Sequence, residues 1–328
     1  MVLYLKSFVQ QYKVLCAKGF VWKRIGTEVV SKAFAVCCTV DSVAWPLLQN
    51  MIQFNTYFGC SWCLHPVSLI VRAIRYTVSV KVVQDRKSKG AIRDMYEAAS
   101  GGVICRGFKD PSPLLNMQSF SVIESFVPDY YMHAVLLGVS RSLLNLWFDS
   151  NSGEAFYLGE PATVRLVDCR MRAIKPISKL GRFPRGVSER KLWKAQEYHS
   201  WLLYYPPPIL CGISPKPFLG HLALLVHSIY YLVHDTLTKY DIITAHILLA
   251  EFMIKYNMLC GDINMVFNVH LFQYLAKNVL HWEPLWTHSA FCIKGNRGIA
   301  MQDLQKAILK EALTHQNCIF FICDVEIF

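Results

Sequence analysis

No apolar run in this 328-residue chain reaches, free of interruption, the roughly 20 residues that a bilayer span requires. Hydrophobic residues make up 53% of the chain and the mean hydropathy is +0.28, so a membrane reading has to be tested. Its best window, Pro217 to His234, is charge-free but carries His221, His227 and His234, and Asp235 follows at once. That pattern fits a buried helix better than a span, and no membrane partner is expected. A signal peptide is missing too: Lys6 and Lys13 interrupt the N-terminal apolar pattern and no small-residue cleavage site follows, so secretion is not expected. There is no internal repeat, no low-complexity run and no helix-turn-helix or zinc-finger spacing, which removes the usual base-specific readers. The 12 cysteines are scattered rather than set in a framework, which suits a reducing compartment. Acids are also scarce at the start, where residues 1–40 contain only Glu28.

What is present is a net charge of +11, unevenly placed. Arg165 to Lys194 holds ten Lys/Arg against Asp168 and Glu189, and Arg72 to Arg93 holds seven against Asp85. The remainder of the chain is slightly acidic. One basic segment reads equally well as a solvated face, but two on such a background form an electrostatic footprint for a polyanion, and DNA is the expected partner. The residues expected to contact it are Arg170, Arg172, Lys175, Lys179, Arg182, Arg185, Arg190, Lys191 and Lys194. Nothing points to a small-molecule substrate.

The length suits one large or two medium domains. Leu3, Leu5, Phe8, Val9, Tyr12 and Leu15 recur at helical spacing up to Gly19. Ala33 to Val40 is β-branched, Cys-rich and apolar, and predicts a buried strand ending at Asp41. Trp45-Pro46 predicts a break, with a helix restarting over 47–58. Tyr76 to Val83 alternates like a short strand, and 92–99 predicts a helix ended by Gly101-Gly102. Helices are further predicted over 134–148, 188–205 (capped by Ser188 and stopped by Pro206-Pro207-Pro208), 218–237, 241–256 and 266–280. The prolines of Ile174-Lys-Pro-Ile and Phe183-Pro-Arg make 165–194 extended. Strands and helices together predict a mixed α/β protein.

Two local patterns carry chemistry. A carboxylate at the mouth of a buried strand, Asp41, is where a metal-dependent site can sit. Cys60-Ser-Trp-Cys63, behind Gly59, can supply half of a zinc site if two further ligands arrive from elsewhere. Chance alone yields about 0.4 such pairs at this cysteine content, so the spacing decides little by itself. Asp129 precedes the 134–148 helix, where a cap stabilising by about 1 kcal/mol explains it.

Taken in order, a longer series of motifs resembles one family. Asp41-Ser-Val-Ala, Gln53-Phe-Asn, Tyr57-Phe-Gly-Cys-Ser-Trp-Cys-Leu-His-Pro66, Pro111-Ser-Pro-Leu-Leu-Asn116 and Phe126-Val-Pro-Asp129 come first. Trp193-Lys-Ala, Trp201-Leu-Leu-Tyr-Tyr205, Asn268-Val-His270 and Glu283-Pro-Leu-Trp-Thr-His-Ser289 follow. The series resembles the animal transposase-domain proteins of CACTA/EnSpm-type (Tnp2-like) DNA transposons over roughly residues 30–300. The resemblance implies an incomplete RNase H-like core interrupted by a large, mainly helical insertion. It places a partial core at 1–100 with the Cys pair, the insertion at 101–265 with the basic segment, and the C-terminal helical part of the core at 266–328. It also implies cut-and-paste chemistry on two Mg²⁺ ions held by a D-D-E triad, with Asp41 as the second acid, and a nuclear location, or a cytoplasmic one if the chain is only a relic. The oligomeric state stays open between a monomer and a homo-oligomer. Cys60 and Cys63 would join His270 and a second histidine four residues on in binding structural Zn²⁺.

The sequence departs from that pattern at the places the chemistry needs. The position four after His270 is Tyr274, so His288 or a water would have to complete the zinc shell. Lys294 stands where the final glutamate is expected, and a cation repels Mg²⁺. Asp129-Tyr-Tyr-Met-His133 is one residue longer than the family's D-x-M-H element, and no acid upstream supplies the first catalytic position. A two-metal clamp missing a carboxylate cannot assemble. The expectation is therefore an inactive, transposase-like chain with residual DNA binding. Two other readings remain open: a helical membrane protein built on 217–256, and a fragment without a stable fold.

Overall fold

The structure is a computed structural model that describes residues 2–24, 26–40, 42–150, 153–174, 183–287 and 318–323. The protein is mixed α/β, and helix outweighs strand by 54% to 11%, so its strands make only small sheets. Along the chain come α1 (Val2–Ala17), β1 (Phe20–Arg24), β2 (Thr27–Thr39), α2 (Ala44–Gln49), β3 (Ser68–Ile70), β4 (Ala73–Arg75), α3 (Ser88–Gly101) and β5 (Phe126–Val127). A π-helix, Tyr130–Ser140, leads into α4 (Arg141–Asp149). Then follow α5 (Pro161–Ala173), α6 (Ala195–Tyr204), α7 (Pro206–Leu210), α8 (Lys216–Leu232), α9 (Lys239–Cys260), α10 (Phe267–His270), α11 (Phe272–Trp282) and β6 (Cys318–Cys323).

These elements form two compact units, one from residues 1–67 and 79–127 with β6, the other from 68–78 and 128–287.

In the first unit, α1 buries Leu5, Val9, Tyr12 and Cys16 at helical spacing. Gly19 turns the chain at φ 73°, and a Cβ there would lie 2.5 Å from Ser31 O, so no larger residue fits. β1 and β2 then pair antiparallel from Phe20↔Ser31 to Arg24↔Thr27. The second half of β2 buries Ala33, Ala35, Cys37 and Cys38 and pairs in parallel with β6 and, through Cys38↔Phe126 and Thr39↔Val127, with β5. Trp45-Pro46 does not break a helix here. It lies in the first turn of α2, where the missing proline N–H has no intrahelical partner to lose. The helix ends instead at Asn50, whose left-handed backbone (φ 57°) lets its N–H reach Pro46 O, so 47–58 is not helical throughout.

The second unit contains a hairpin where a different strand was expected. Ser68↔Arg75 to Ile70↔Ala73 pair around Val71 and Arg72, both at positive φ as a two-residue turn demands. Residues 76–83 form no strand, because the backbone after β4 bonds elsewhere: Tyr76 N donates to Met265 O (2.8 Å) and Val78 N to Asn257 Oδ1 (3.0 Å). The main core is made by α8, α9 and α11. Leu222, Leu225, Ile229 and Leu232 meet the Ala245, Leu249, Phe252 and Tyr256 face of α9, with Phe272 and Leu275 of α11 on α9. A reciprocal cap starts α9: Asp241 N donates to Thr238 Oγ1 (3.2 Å) and Thr238 N to Asp241 Oδ2 (2.9 Å). By length and composition α9 is the one described helix that could cross a bilayer.

Two expectations for the basic stretch change. Its first part is helical, since Pro161 suits a first turn and Arg170 and Arg172 suit the negative end of α5. The helix expected from Ser188 begins at Ala195 after a 3₁₀ turn, Val187–Leu192, because the Ser188 hydroxyl bonds Asp168 Oδ2 (2.6 Å) and Glu197 takes over the capping, accepting from Lys194 N (2.8 Å).

Candidate metal centre

The Cys60–Cys63 loop is built around one arginine. Gly59 is required, since a Cβ would collide with Gln53 O. Beyond it the chain carries buried carbonyls that need donors, and Arg86 supplies them. Its Nε donates to Cys60 O (2.9 Å), and a terminal nitrogen donates to Phe58 O (2.9 Å) and Arg106 O (2.7 Å). The guanidinium also lies 5.2 Å from the Phe108 ring centroid. Arg86 N donates to Trp62 O (2.7 Å), Leu64 N to Gln84 O (2.9 Å), and Cys63 bridges Asp85. From the other side, Ser61 Oγ donates to Gln49 Oε1 (2.6 Å), whose own Nε2 donates to Val122 O (2.7 Å).

The result is a loop with both thiols buried and Trp62 N directed at Cys60 Sγ at 3.4 Å. Backbone N–H groups pointing at a sulfur favour the charged thiolate, the form that binds metal.

His270 ends α10 and is buried in an aromatic nest. Its ring lies 4.4 Å from Tyr76, 6.1 Å from Phe267 and 5.7 Å, edge-on, from Tyr274. The side-chain nitrogen of Gln273, a donor, sits 2.9 Å from Nδ1 and 3.0 Å from Nε2, nearly equidistant from the two ring nitrogens. Cys60 and Cys63 belong to the first unit and His270 to the second. Buried thiols and a buried imidazole are donors that suit Zn²⁺ and not Mg²⁺, which takes oxygen ligands.

No family model matches the chain, and no curated protein or solved structure matches it either. The site therefore rests on its own chemistry. Tyr274 is buried but presents a phenol, a poor zinc ligand. His65 is buried beside the loop. His288 lies outside the described residues, as do Asp41 and Lys294. Asp129 is fully buried at the start of the π-helix, with Ala134 N donating to its carbonyl (3.0 Å).

The nine basic residues expected to face DNA separate into three groups. Arg170 donates to Ile209 O (2.6 Å) and Cys211 O (2.7 Å), at the end of α7. Arg185 pairs with the buried Glu197 (2.8 Å), and Arg190, itself buried, pairs with Asp149 (2.5 Å) and donates to Val187 O (3.0 Å) over the Phe148 ring. Burial pushes the Glu197 carboxyl up, but the Arg185 bond and the Lys194 N–H outweigh it and the net shift is downward. These three cations hold the fold together. Arg172, Lys191 and Lys194 are exposed, and Lys175, Lys179 and Arg182 lie outside the described residues.

Sequence reasoning missed Arg86 and Tyr76. Arg86 was counted within a basic patch. The signal that distinguishes it is its partner, a tight Gly-Cys loop whose carbonyls need a donor.

Proposed function

We propose that this chain is a transposase-derived nuclear protein that keeps a structural zinc centre, has lost strand-transfer chemistry and retains non-specific DNA binding. The observation that carries the zinc reading is the Cys60–Cys63 loop itself, with both thiols buried and Trp62 N directed at Cys60 Sγ. For an incomplete RNase H-like core, support comes from β2, which pairs antiparallel with β1 and in parallel with β5 and β6. Zinc would fasten the Cys loop and supply no Lewis acid to a substrate, since both thiols are buried.

Metal analysis of the purified full chain tests the zinc reading. About one zinc per chain is expected, with a cobalt-substituted form showing thiolate-to-metal charge-transfer absorption, and Cys63→Ser should lose both. A chain that carries no zinc after growth in zinc-replete medium would sink it. For DNA, binding to a duplex should weaken steeply with salt through counterion release. Neutralising Lys175, Lys179 and Arg182 together should weaken it further, whereas no binding at about 50 mM salt would remove the proposal.

The loss of strand-transfer chemistry rests on the sequence, where residues 1–40 hold only Glu28 as an acid and Lys294 stands where the final glutamate is expected. A plasmid-cleavage assay with Mg²⁺ or Mn²⁺ tests that loss. No turnover is expected, and cleavage abolished by Asp41→Ala or Asp129→Ala would restore the chain to enzyme status.

A further inference from the structure

Helix α9 has two apolar faces, and only one of them is used inside its own unit. Ala245, Leu249, Phe252, Tyr256 and Cys260 are buried. On the opposite side Tyr240, Ile243, Ile247, Ile254 and Met258 stand between 49% and 78% exposed. At ~100° per residue these five fall within a stripe about 60° wide. That is narrower than the face a core-facing helix presents, and it has the width of a seam between two helices.

The order of residues along the stripe says what fits it. Ile247 and Ile254 stand equally far from the point between Ala250 and Glu251, and so do Ile243 and Met258. The row therefore reads much the same in either direction. A stripe of that kind is self-complementary when a second copy runs antiparallel: Ile247 of one helix meets Ile254 of the other, and Ile243 meets Met258. The half-buried Ala250 lies beside the midpoint, where its small side chain lets the two backbones approach. Glu251 lies there as well. It is held by Lys255 of its own helix at 2.6 Å, which offsets its repulsion from the same residue of the second copy.

Charge at the ends agrees with this direction. Antiparallel pairing brings the exposed Lys239, at the start of α9, to the level of the exposed Asp262 just beyond the end of the other copy's helix. It also sets the positive end of each helix dipole beside the negative end of the other. No other described helix exposes five apolar residues in one stripe, so the matching partner within this chain's own repertoire is α9 itself.

We propose that the outward face of α9 pairs antiparallel with the same helix of a second copy of this chain, about a two-fold axis between Ala250 and Glu251. The interface is isologous, as in most homodimers. Although the seam is short, α9 is already held helical by α8 and α11, so pairing does not carry the ordering cost that an isolated short helix faces.

Sedimentation equilibrium on the full chain tests this. The wild type should be a dimer in the micromolar range. Ile247→Lys should weaken association about 30-fold or more while circular dichroism, and the melting midpoint measured at a dilution where both proteins are monomeric, stay unchanged, because residue 247 is exposed in the monomer. Direction is read by cross-linking. Chains carrying Ile243→Cys mixed with chains carrying Met258→Cys should, on mild oxidation, yield a linked peptide pair containing positions 243 and 258, located by mass spectrometry. Either variant alone should give little cross-link at its own position. A wild-type monomer at about 100 µM would overturn the proposal, as would a dimer indifferent to Ile247→Lys. A dimer that cross-links 243 to 243 and not 243 to 258 would overturn the antiparallel arrangement. A monomer that binds neutral phosphatidylcholine vesicles through Ile247 would assign the face to lipid instead.

Discussion

The Cys60–Cys63 loop and the α8–α9 pair are both buried, yet they are held in opposite ways. Around α9 the contacts are mainly apolar and periodic, through Leu225, Leu249, Phe252 and Phe272, and polar groups are few: His221 stacks on Phe252 at 4.2 Å with its Nε2 3.1 Å from Phe252 O, Ser228 Oγ donates to Leu225 O (2.8 Å), and the Tyr256 phenol is buried. Around the loop the backbone carbonyls are turned inward and a single guanidinium answers three of them, while Gln49 accepts from Ser61 Oγ and donates to Val122 O. The first kind of core tolerates conservative exchange, because volume is what it requires. The second does not, because each removed donor strands a buried acceptor.

That contrast can be broken at four points. The largest effect should come from the apolar side. Phe252→Ala should cost about 4 kcal/mol of unfolding free energy, measured by denaturant titration, and Phe252→Leu much less. A loss below about 1 kcal/mol would mean that the α8–α9–α11 core is not packed as described.

Next comes Arg86→Leu, which removes three hydrogen bonds while keeping an apolar side chain in place. It should cost about 3 kcal/mol and lower bound zinc in parallel, where Arg86→Lys recovers only part. If Leu and Lys behave alike, the carbonyl argument fails.

The third effect depends on pH. Burial pushes the His221 and His199 imidazoles down to about 4, so the folded protein keeps both neutral. The unfolded chain takes up protons near the ordinary value of about 6.5. Between those limits the unfolded state binds more protons, and stability falls as the pH falls, by up to about 3 kcal/mol for each group. His221→Phe should flatten part of that slope, and a wild type whose stability is level from pH 7 to 4.5 would contradict the burial. Zinc should be lost over an acidic range too, since protons compete for thiolates and imidazole. Repeating the titration with a chelator separates the two contributions.

The smallest effect compares two neighbouring cations. Lys191 reaches Asp149 at 3.5 Å from an exposed position, so Lys191→Ala should change stability by no more than about 0.5 kcal/mol. Arg190→Ala, which strands the carbonyl of Val187 and uncovers Phe148, should cost several times that. Equal effects would remove the distinction between a surface cation and a structural one.

The segment after Asp129 departs from α-helical bonding: Tyr130–Ser140 is a π-helix, whose i→i+5 bonds accommodate one more residue in each turn. That bonding pattern depends on what surrounds Tyr130, Ala134 and Leu136, which are fully buried, and periodicity along the chain carries no sign of it.

By itself the sequence determined the existence and type of the long elements: α1, the buried half of β2, α3, α8 and α9 all follow from apolar spacing and local stop signals, which depend only on near neighbours. It also marked Cys60, Cys63 and His270 as residues with ligand chemistry. Only tertiary structure decided that both thiols and the imidazole are buried, that Arg86, Arg170, Arg185 and Arg190 are internal partners and not part of a uniform basic surface, and that one apolar face of α9 is left outward. The physical reason is common to all three. A side chain's charge and polarity are written in its own identity, whereas its burial and its partners are set by residues tens to hundreds of positions away.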